Sequence, residues 1–314
     1  MVSAGHLAQV ALPRKTFSGL TTAIGLASRV RPSSMLACSV VARSEDIVDR
    51  MRTGPDFAVA RVRPGVFLVL VAVLSVPFFV VGWLAPVVRV GAIAVPASAA
   101  MFVVPAVAAM ILTAWPGGRT AAVALVARII DRPLGPGRWY VVAVLVSPVV
   151  AVAADLVMRA TGHGGPLPTS LVALPAVLAF TLIAATGEEL GWTAYATDAI
   201  QRRHGPIWTG IVLGIFWGAW HLVPLLQAGH GAVWIGGWFA GTIAARVIIV
   251  ALHDATGGVT AAILMHAMLN VAAAYTPHYD TASVAVLIGV FTTAVAVPFA
   301  AHSARFYRRH AELW

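Results

Sequence analysis

From Pro64 onward the chain is a succession of apolar runs, each close to the ~20 residues a helix needs to cross the hydrocarbon of a bilayer. They fall at about 64–84, 95–115, 139–158, 170–199, 207–226, 232–252, 258–275 and 282–302. In lipid an unpaired backbone group costs several kcal/mol, which restricts a spanning chain to helices or a closed barrel, and long unbroken apolar runs select the helix. The expected fold is all-α, a polytopic membrane protein with about eight transmembrane helices. Composition points the same way, with 60% hydrophobic and 11% charged residues. Soluble domains have roughly twice that charge.

A formal net charge of +9 raises the question of nucleic acid, but the basic residues form no single domain. Nine of the 21 Lys and Arg lie in the first 63 residues, four in 119–138, two at Arg202 and Arg203, and three in 305–309. By the rule that cytoplasmic loops are enriched in Lys and Arg, these segments share the cytoplasmic side, and both termini lie there. The expected partner is thus the lipid bilayer and not nucleic acid. Residues 1–63 read as a basic, mostly disordered cytoplasmic tail, 64–302 as the transmembrane domain and 303–314 as a second basic tail. No signal-peptide core follows the first basic pair, and Met35 and Met51 are alternative starts. Residues 119–131 alternate apolar residues with Arg128 and suit a short helix lying in the interface. Cys38 stands alone, which excludes an internal disulfide and multi-cysteine metal sites. The Ala, Val and Arg bias, with Lys15 the sole lysine, points to a GC-rich bacterial genome and a plasma membrane.

The polar interruptions of the apolar runs carry the chemistry. Glu188 and Glu189 end one run, His221 lies inside another, and His266 and Asn270 lie inside a third. Ionisable groups at membrane depth need a wet cavity or a partner. At 1.5 Å of rise per residue, Glu188, His221 and His266 all fall ~12 to 21 Å below the cytoplasmic ends of their helices. Adjacent glutamates point about 100° apart, so one of the pair addresses a shared cavity. His266 and Asn270, four apart, share a helix face.

Three motifs occur in order: Glu188-Glu189-Leu-Gly-Trp192, Trp217-Gly-Ala-Trp-His221 and His266-Ala-Met-Leu-Asn270. In residues 170–275 the chain resembles the membrane-embedded CAAX-endopeptidase and bacteriocin-processing family, whose paired-glutamate, aromatic-x-x-x-His and His-x-x-x-Asn motifs these are. The turn around Asp254-Ala-Thr-Gly-Gly also resembles the family's. Two positions depart from its pattern, Thr193 in place of arginine and Trp217 in place of phenylalanine. The resemblance implies hydrolysis of a peptide bond of a membrane-associated peptide or protein, in a polar cavity open to the cytoplasm. Glu188 would be the base that activates water, His221 and His266 would orient it, and Asn270 would donate to the oxyanion, with Glu189 completing the site. Two readings of the histidines stay open: a metal-free site, or a zinc ion held by Glu188, His221 and His266.

Other readings use the same residues. Buried Glu and His also build proton relays, so a proton-coupled transporter including Asp155 and Arg246 is an alternative, although no internal repeat supports it. The missing arginine allows a catalytically silent scaffold. Trp192, Trp217 and Trp220 read as packing residues, and Gly210, Gly214 and Gly218 as a small-residue stripe for close helix packing. His230, His253, His278 and His302 read as loop or interfacial. Arg246, about 12 Å deep by helical rise, either takes the missing arginine's place by pairing with Glu189 or snorkels to the interface. Asp155 lies too near the opposite face to be its partner.

Overall fold

The computed structural model describes residues 62–85, 87–90, 93–130 and 136–310. The basic tail up to residue 61, Cys38, Met35, Met51 and residues 311–314 lie outside the described residues. The described chain is almost wholly helical: α1 (Pro64–Leu84), α2 (Val104–Ala127), α3 (Arg138–Ala160), α4 (Leu174–Gly191), α5 (Asp198–Gln227), α6 (Ala232–Thr256), α7 (Thr260–Tyr275) and α8 (Ala282–His310). A short antiparallel hairpin, β1 (Val88–Val90) with β2 (Ile93–Val95), precedes a 3-10 turn at Ala97–Val103. Apolar length alone did not reveal that hairpin, because its alternating β-branched residues merge into the next apolar run. At its other end the last helix runs through residues 303–310 without a break.

Among the described residues, six helical stretches are long and apolar enough to cross a membrane. One of them, Leu171–Gln227, has 57 residues, enough for about 85 Å of straight helix. It cannot be straight. Gly205, with φ 75° and ψ 169°, breaks it, and the chain folds back so that Trp217 reaches Glu188. A φ of 75° with so extended a ψ is a combination that a residue with a Cβ rarely adopts, which is why glycine occupies the corner. The expected fourth and fifth runs are therefore the two arms of one helical stretch. The expected seventh run is α7, whose 16 residues fall short of a straight crossing of ~20. A second non-helical glycine, Gly118, divides α2, and residues 119–127 follow as the separate short helix that the arginine pattern suggested.

Helix α6 occupies the centre. From Ala244 to Asp254 every residue is buried, a state a helix reaches only when neighbours cover its whole circumference. The neighbours approach closely because they present glycine. A Cβ on Gly210 would lie 2.8 Å from the Val247 Cα, one on Gly214 2.7 Å from the Ile243 Cα, and one on Gly218 2.7 Å from the Phe239 ring. The expected stripe on α5 is thus its contact with α6. On the other side Gly237 of α6 meets Gly289 of α8 in the same way. Lipid-facing surfaces are apolar instead: on α1, Val69, Val73, Val76 and Val80 point out, while Phe67, Val71, Ser75 and Gly82 point in. Such an arrangement suits a solvent as apolar as the core.

Because a methyl group on Gly214 collides with backbone, Gly214→Ala should destabilise the detergent-solubilised protein by about 1–3 kcal/mol. Gly236→Ala, whose Cβ meets nothing within 4 Å, should be silent. Thermal melting of the two variants side by side checks this, and equal midpoints would contradict the packing.

Candidate functional site

Fold-back at Gly205 brings Trp217 of α5 within a hydrogen bond of Glu188 at the end of α4, and the central α6 and the short α7 pack beside them. Glu188 and Glu189 come from the last turn of α4, His221 from α5, Arg246 from α6, and His266 and Asn270 from α7. Adjacent in sequence, the two glutamates have different surroundings.

Glu189 has no exposed surface and is saturated with donors. Arg246, itself fully buried, forks onto it with Nη1 2.8 Å from Oε2 and Nη2 3.0 Å from Oε1. Thr193, one turn on, donates its hydroxyl to Oε2. His266 Nδ1 lies 2.8 Å from Oε1. Of the two readings of Arg246, pairing is the one observed. The position where the resemblance expects arginine holds a threonine that bonds the same carboxylate, while the guanidinium comes from a different helix at matching depth. Arg246 also lies over the Trp217 ring, its Cζ 4.3 Å from the centroid, which adds a cation–π contact in a water-poor setting.

Glu188 is buried but differently held. Its Oε2 accepts from the indole N–H of Trp217 at 2.7 Å and of Trp192 at 3.3 Å. Its Oε1 faces His266 Nε2 at 3.9 Å. The imidazole of His266 therefore sits between the two carboxylates, its Nδ1–H directed to Glu189 and its Nε2 edge to Glu188. His221 has its Nδ1 2.8 Å from the Trp217 carbonyl oxygen; a carbonyl only accepts, so this nitrogen carries the proton and Nε2 holds the lone pair in the neutral ring. Its ring lies among Trp217, Trp220 and Trp238. Asn270, half-buried, follows His266 by one turn on α7.

Glu188, Glu189 and His266 are thus brought into direct mutual reach. His221 joins them through Trp217, whose ring meets both imidazoles edge-on at 5.8 and 4.9 Å. Among the described residues no three His, Cys, Asp or Glu side chains are grouped to hold a metal ion. Both imidazoles keep Nδ1 on a protein oxygen and leave Nε2 for a water or a metal, the usual arrangement of a ligating histidine, but Glu188, His221 and His266 are not gathered around one point as a zinc set requires.

Sequence reasoning had treated Trp192 and Trp217 as packing residues, and they are also donors to Glu188. A buried indole N–H needs an acceptor, and the spacing of four from Glu188 to Trp192 was a usable signal. It also missed the π turn Trp192–Thr197 that follows the site. Such turns occur largely at functional sites. Here Arg128 Nη1 donates to the Ala194 carbonyl inside the turn, and Nη2 pairs with Asp198 at 2.8 Å. His253, expected at an interface, is buried instead and bonds the same Asp198 at 2.8 Å through Nε2. Four residues, Arg128, Asp198, His253 and the turn's Ala194, thereby tie the short helix, α5 and α6 together. Asp155 pairs with Arg159 at 2.7 Å, on its own helix, and takes no part in the site.

A helical multi-pass membrane protein with an arginine-anchored carboxylate, a second carboxylate and two imidazoles at one depth is the class that fold and site define. Residues 168–272, which carry all the residues named above except Arg128, Asp155 and Arg159, match the family described as Type II CAAX prenyl endopeptidase Rce1-like. A segment of 50 residues is 50% identical to the CAAX prenyl protease 2 of Methanococcus maripaludis, covering 16% of this chain and 18% of that protein. In residues 168–272 the chain is thus similar to the CAAX-protease family, and it spans 18% of the length of the relative it matches.

Truncating Arg246 to alanine strands the Glu189 charge without solvent, which costs about 3–5 kcal/mol. Arg246→Ala should therefore fold poorly, and adding Thr193→Arg should restore part of the loss, since it returns a guanidinium to the same carboxylate. Melting temperature and detergent-soluble yield of the single and double variants report it; a single variant as stable as wild type would contradict a buried pair.

Proposed function

We propose that this protein is an intramembrane endopeptidase that cleaves a peptide bond of a membrane-associated peptide or protein, with Glu188 as the base that activates water. One observation carries the reading: of two adjacent carboxylates, one is bound on both oxygens by Arg246, Thr193 and His266, while the other keeps an oxygen directed at an imidazole. A carboxylate engaged by four hydrogen bonds is a poor proton acceptor. Glu188 Oε1, which no side-chain N–H or O–H among the described residues occupies, is the available one.

In this reading a water placed between Glu188 Oε1, His266 Nε2 and His221 Nε2 gives its proton to Glu188 as its oxygen attacks the scissile carbonyl. The amide of Asn270 donates to the oxyanion that forms. Glu188 then returns the proton to the leaving amine, the usual two-way duty of a carboxylate general base. Arg246 holds Glu189, and Glu189 orients His266, so the ion pair acts on the reaction through the imidazole. The mechanism proposed needs no metal. The Ala, Val and Arg bias supports a bacterial plasma membrane, and the distribution of arginine supports both termini lying on its cytoplasmic side. The name of the archaeal relative directs attention to prenylated C-terminal tails, and a bacterial setting to other membrane-associated peptides.

Removing the base while keeping its shape, Glu188→Gln, should lower hydrolysis by about 10²- to 10⁴-fold and leave expression and melting unchanged. Two substrates test it in liposomes: a quenched peptide ending in a prenylated CAAX sequence, and the membrane proteome of cells carrying wild type or Glu188→Gln, read as new protein termini. Equal termini in both cells and no peptide cleavage would sink the protease reading, and proton flux through the same liposomes would replace it with transport.

A further inference from the structure

Trp217 touches Glu188, Arg246 and both imidazoles of the site. It is 3% exposed. One face of its ring is covered by the Arg246 guanidinium, its edges meet both imidazoles, and its carbonyl oxygen sets the tautomer of His221. Its indole N–H makes the shorter of two hydrogen bonds to Glu188, both on Oε2.

We infer that Trp217 is a positioning residue for Glu188, whose indole N–H holds Oε2 so that Oε1 is the oxygen presented to the reacting water. The inference rests on Glu188 being the base. Its physical ground is the looseness of the glutamate side chain, whose last torsion is broad, so that packing alone does not fix the angle of the carboxylate plane. Two donors on one oxygen do fix it, and they leave the other oxygen toward the imidazoles. A carboxylate oxygen offers two lone-pair sites, and at Oε2 Trp217 and Trp192 occupy both. Rotation of the carboxylate would break the 2.7 Å bond and leave two indole N–H groups buried without an acceptor, at the full desolvation cost of each. The ring that makes the bond is itself held by Arg246, and the ion pair on Glu189 thereby fixes the orientation of Glu188 as well. Trp217 stands at one of the two positions where the chain departs from the family pattern, and phenylalanine there would fill similar space with no donor.

Replacing Trp217 by 3-benzothienylalanine, in which sulfur stands in place of the N–H and the shape is kept, separates the bond from the packing. Its kcat should fall about 10- to 100-fold, the loss that a small misplacement of a catalytic group brings, with KM and melting temperature unchanged. Trp217→Phe should lose at least as much, and Trp192→Phe less, in line with its longer bond. A readout independent of hydrolysis uses ¹⁵N-tryptophan labelling: the indole signals of Trp217 and Trp192, identified from the phenylalanine variants, should move in Glu188→Ala. Those of Trp220 and Trp234, bonded to Ser75 and to the Tyr279 carbonyl, should stay in place. A benzothienyl variant with wild-type kcat, or a Trp217 signal indifferent to Glu188→Ala, would overturn the inference. Wild-type protein that cleaves nothing would instead count against the protease reading, and the indole signals would still decide whether Trp217 holds Glu188.

Discussion

The bond between Arg246 and Glu189 is the constraint around which the rest is arranged. Two opposite charges without exposed surface persist in an apolar interior when each neutralises the other and most of the remaining donors and acceptors are met. The carboxylate meets that condition with Thr193 and His266; the guanidinium lies on the face of Trp217, and its Nε is left without a hydrogen-bond partner among the described residues. Apart from Thr193, one turn on from Glu189, the partners come from other helices, Trp217 from α5, Arg246 from α6 and His266 from α7, so satisfying one ion pair ties α4, α5, α6 and α7 to one another.

From that anchoring follows the asymmetry of the two glutamates. Neighbours on a helix differ in direction by about 100°, so one cluster cannot serve both side chains equally. Glu189 faces α6 and takes the charge. Glu188 faces α5 and meets two indoles, neutral donors that orient a carboxylate without cancelling it. His266 reads both environments, one nitrogen on each.

Close approach makes the arrangement possible. The fork of Arg246 reaches Glu189 across a narrow gap because α5 and α6 meet through Gly210, Gly214 and Gly218, the Cβ of Arg246 lying only 3.2 Å from where a Gly214 Cβ would be. The π turn after Trp192 continues this logic. It widens the helix where it leaves the site, and Arg128 satisfies the Ala194 carbonyl there, tying the short helix after Gly118 to the end of α4. Distant polar residues thus support the site through backbone positions that apolar side chains alone could not hold.

Much of this was legible in the sequence, because the solvent is lipid and its demands are simple. Apolar length and the unpaired-backbone penalty specified helices, and polar residues inside those helices marked Glu188, Glu189, His221, His266 and Asn270 as candidates, of which the structure brings Glu188, Glu189 and His266 into mutual reach. Helical rise even put Arg246 at the depth of Glu189. What rise and periodicity cannot state is azimuth across helices, since they count residues along each axis and say nothing of which faces meet. Tertiary structure alone therefore decided that Arg246 turns to Glu189 and not to the interface, that Trp192 and Trp217 aim their N–H groups at Glu188, and that His253 is buried against Asp198. The hairpin and the π turn also needed it, because each depends on partners distant in the chain or on a single extra residue per turn, neither of which leaves a periodic trace in the amino-acid order.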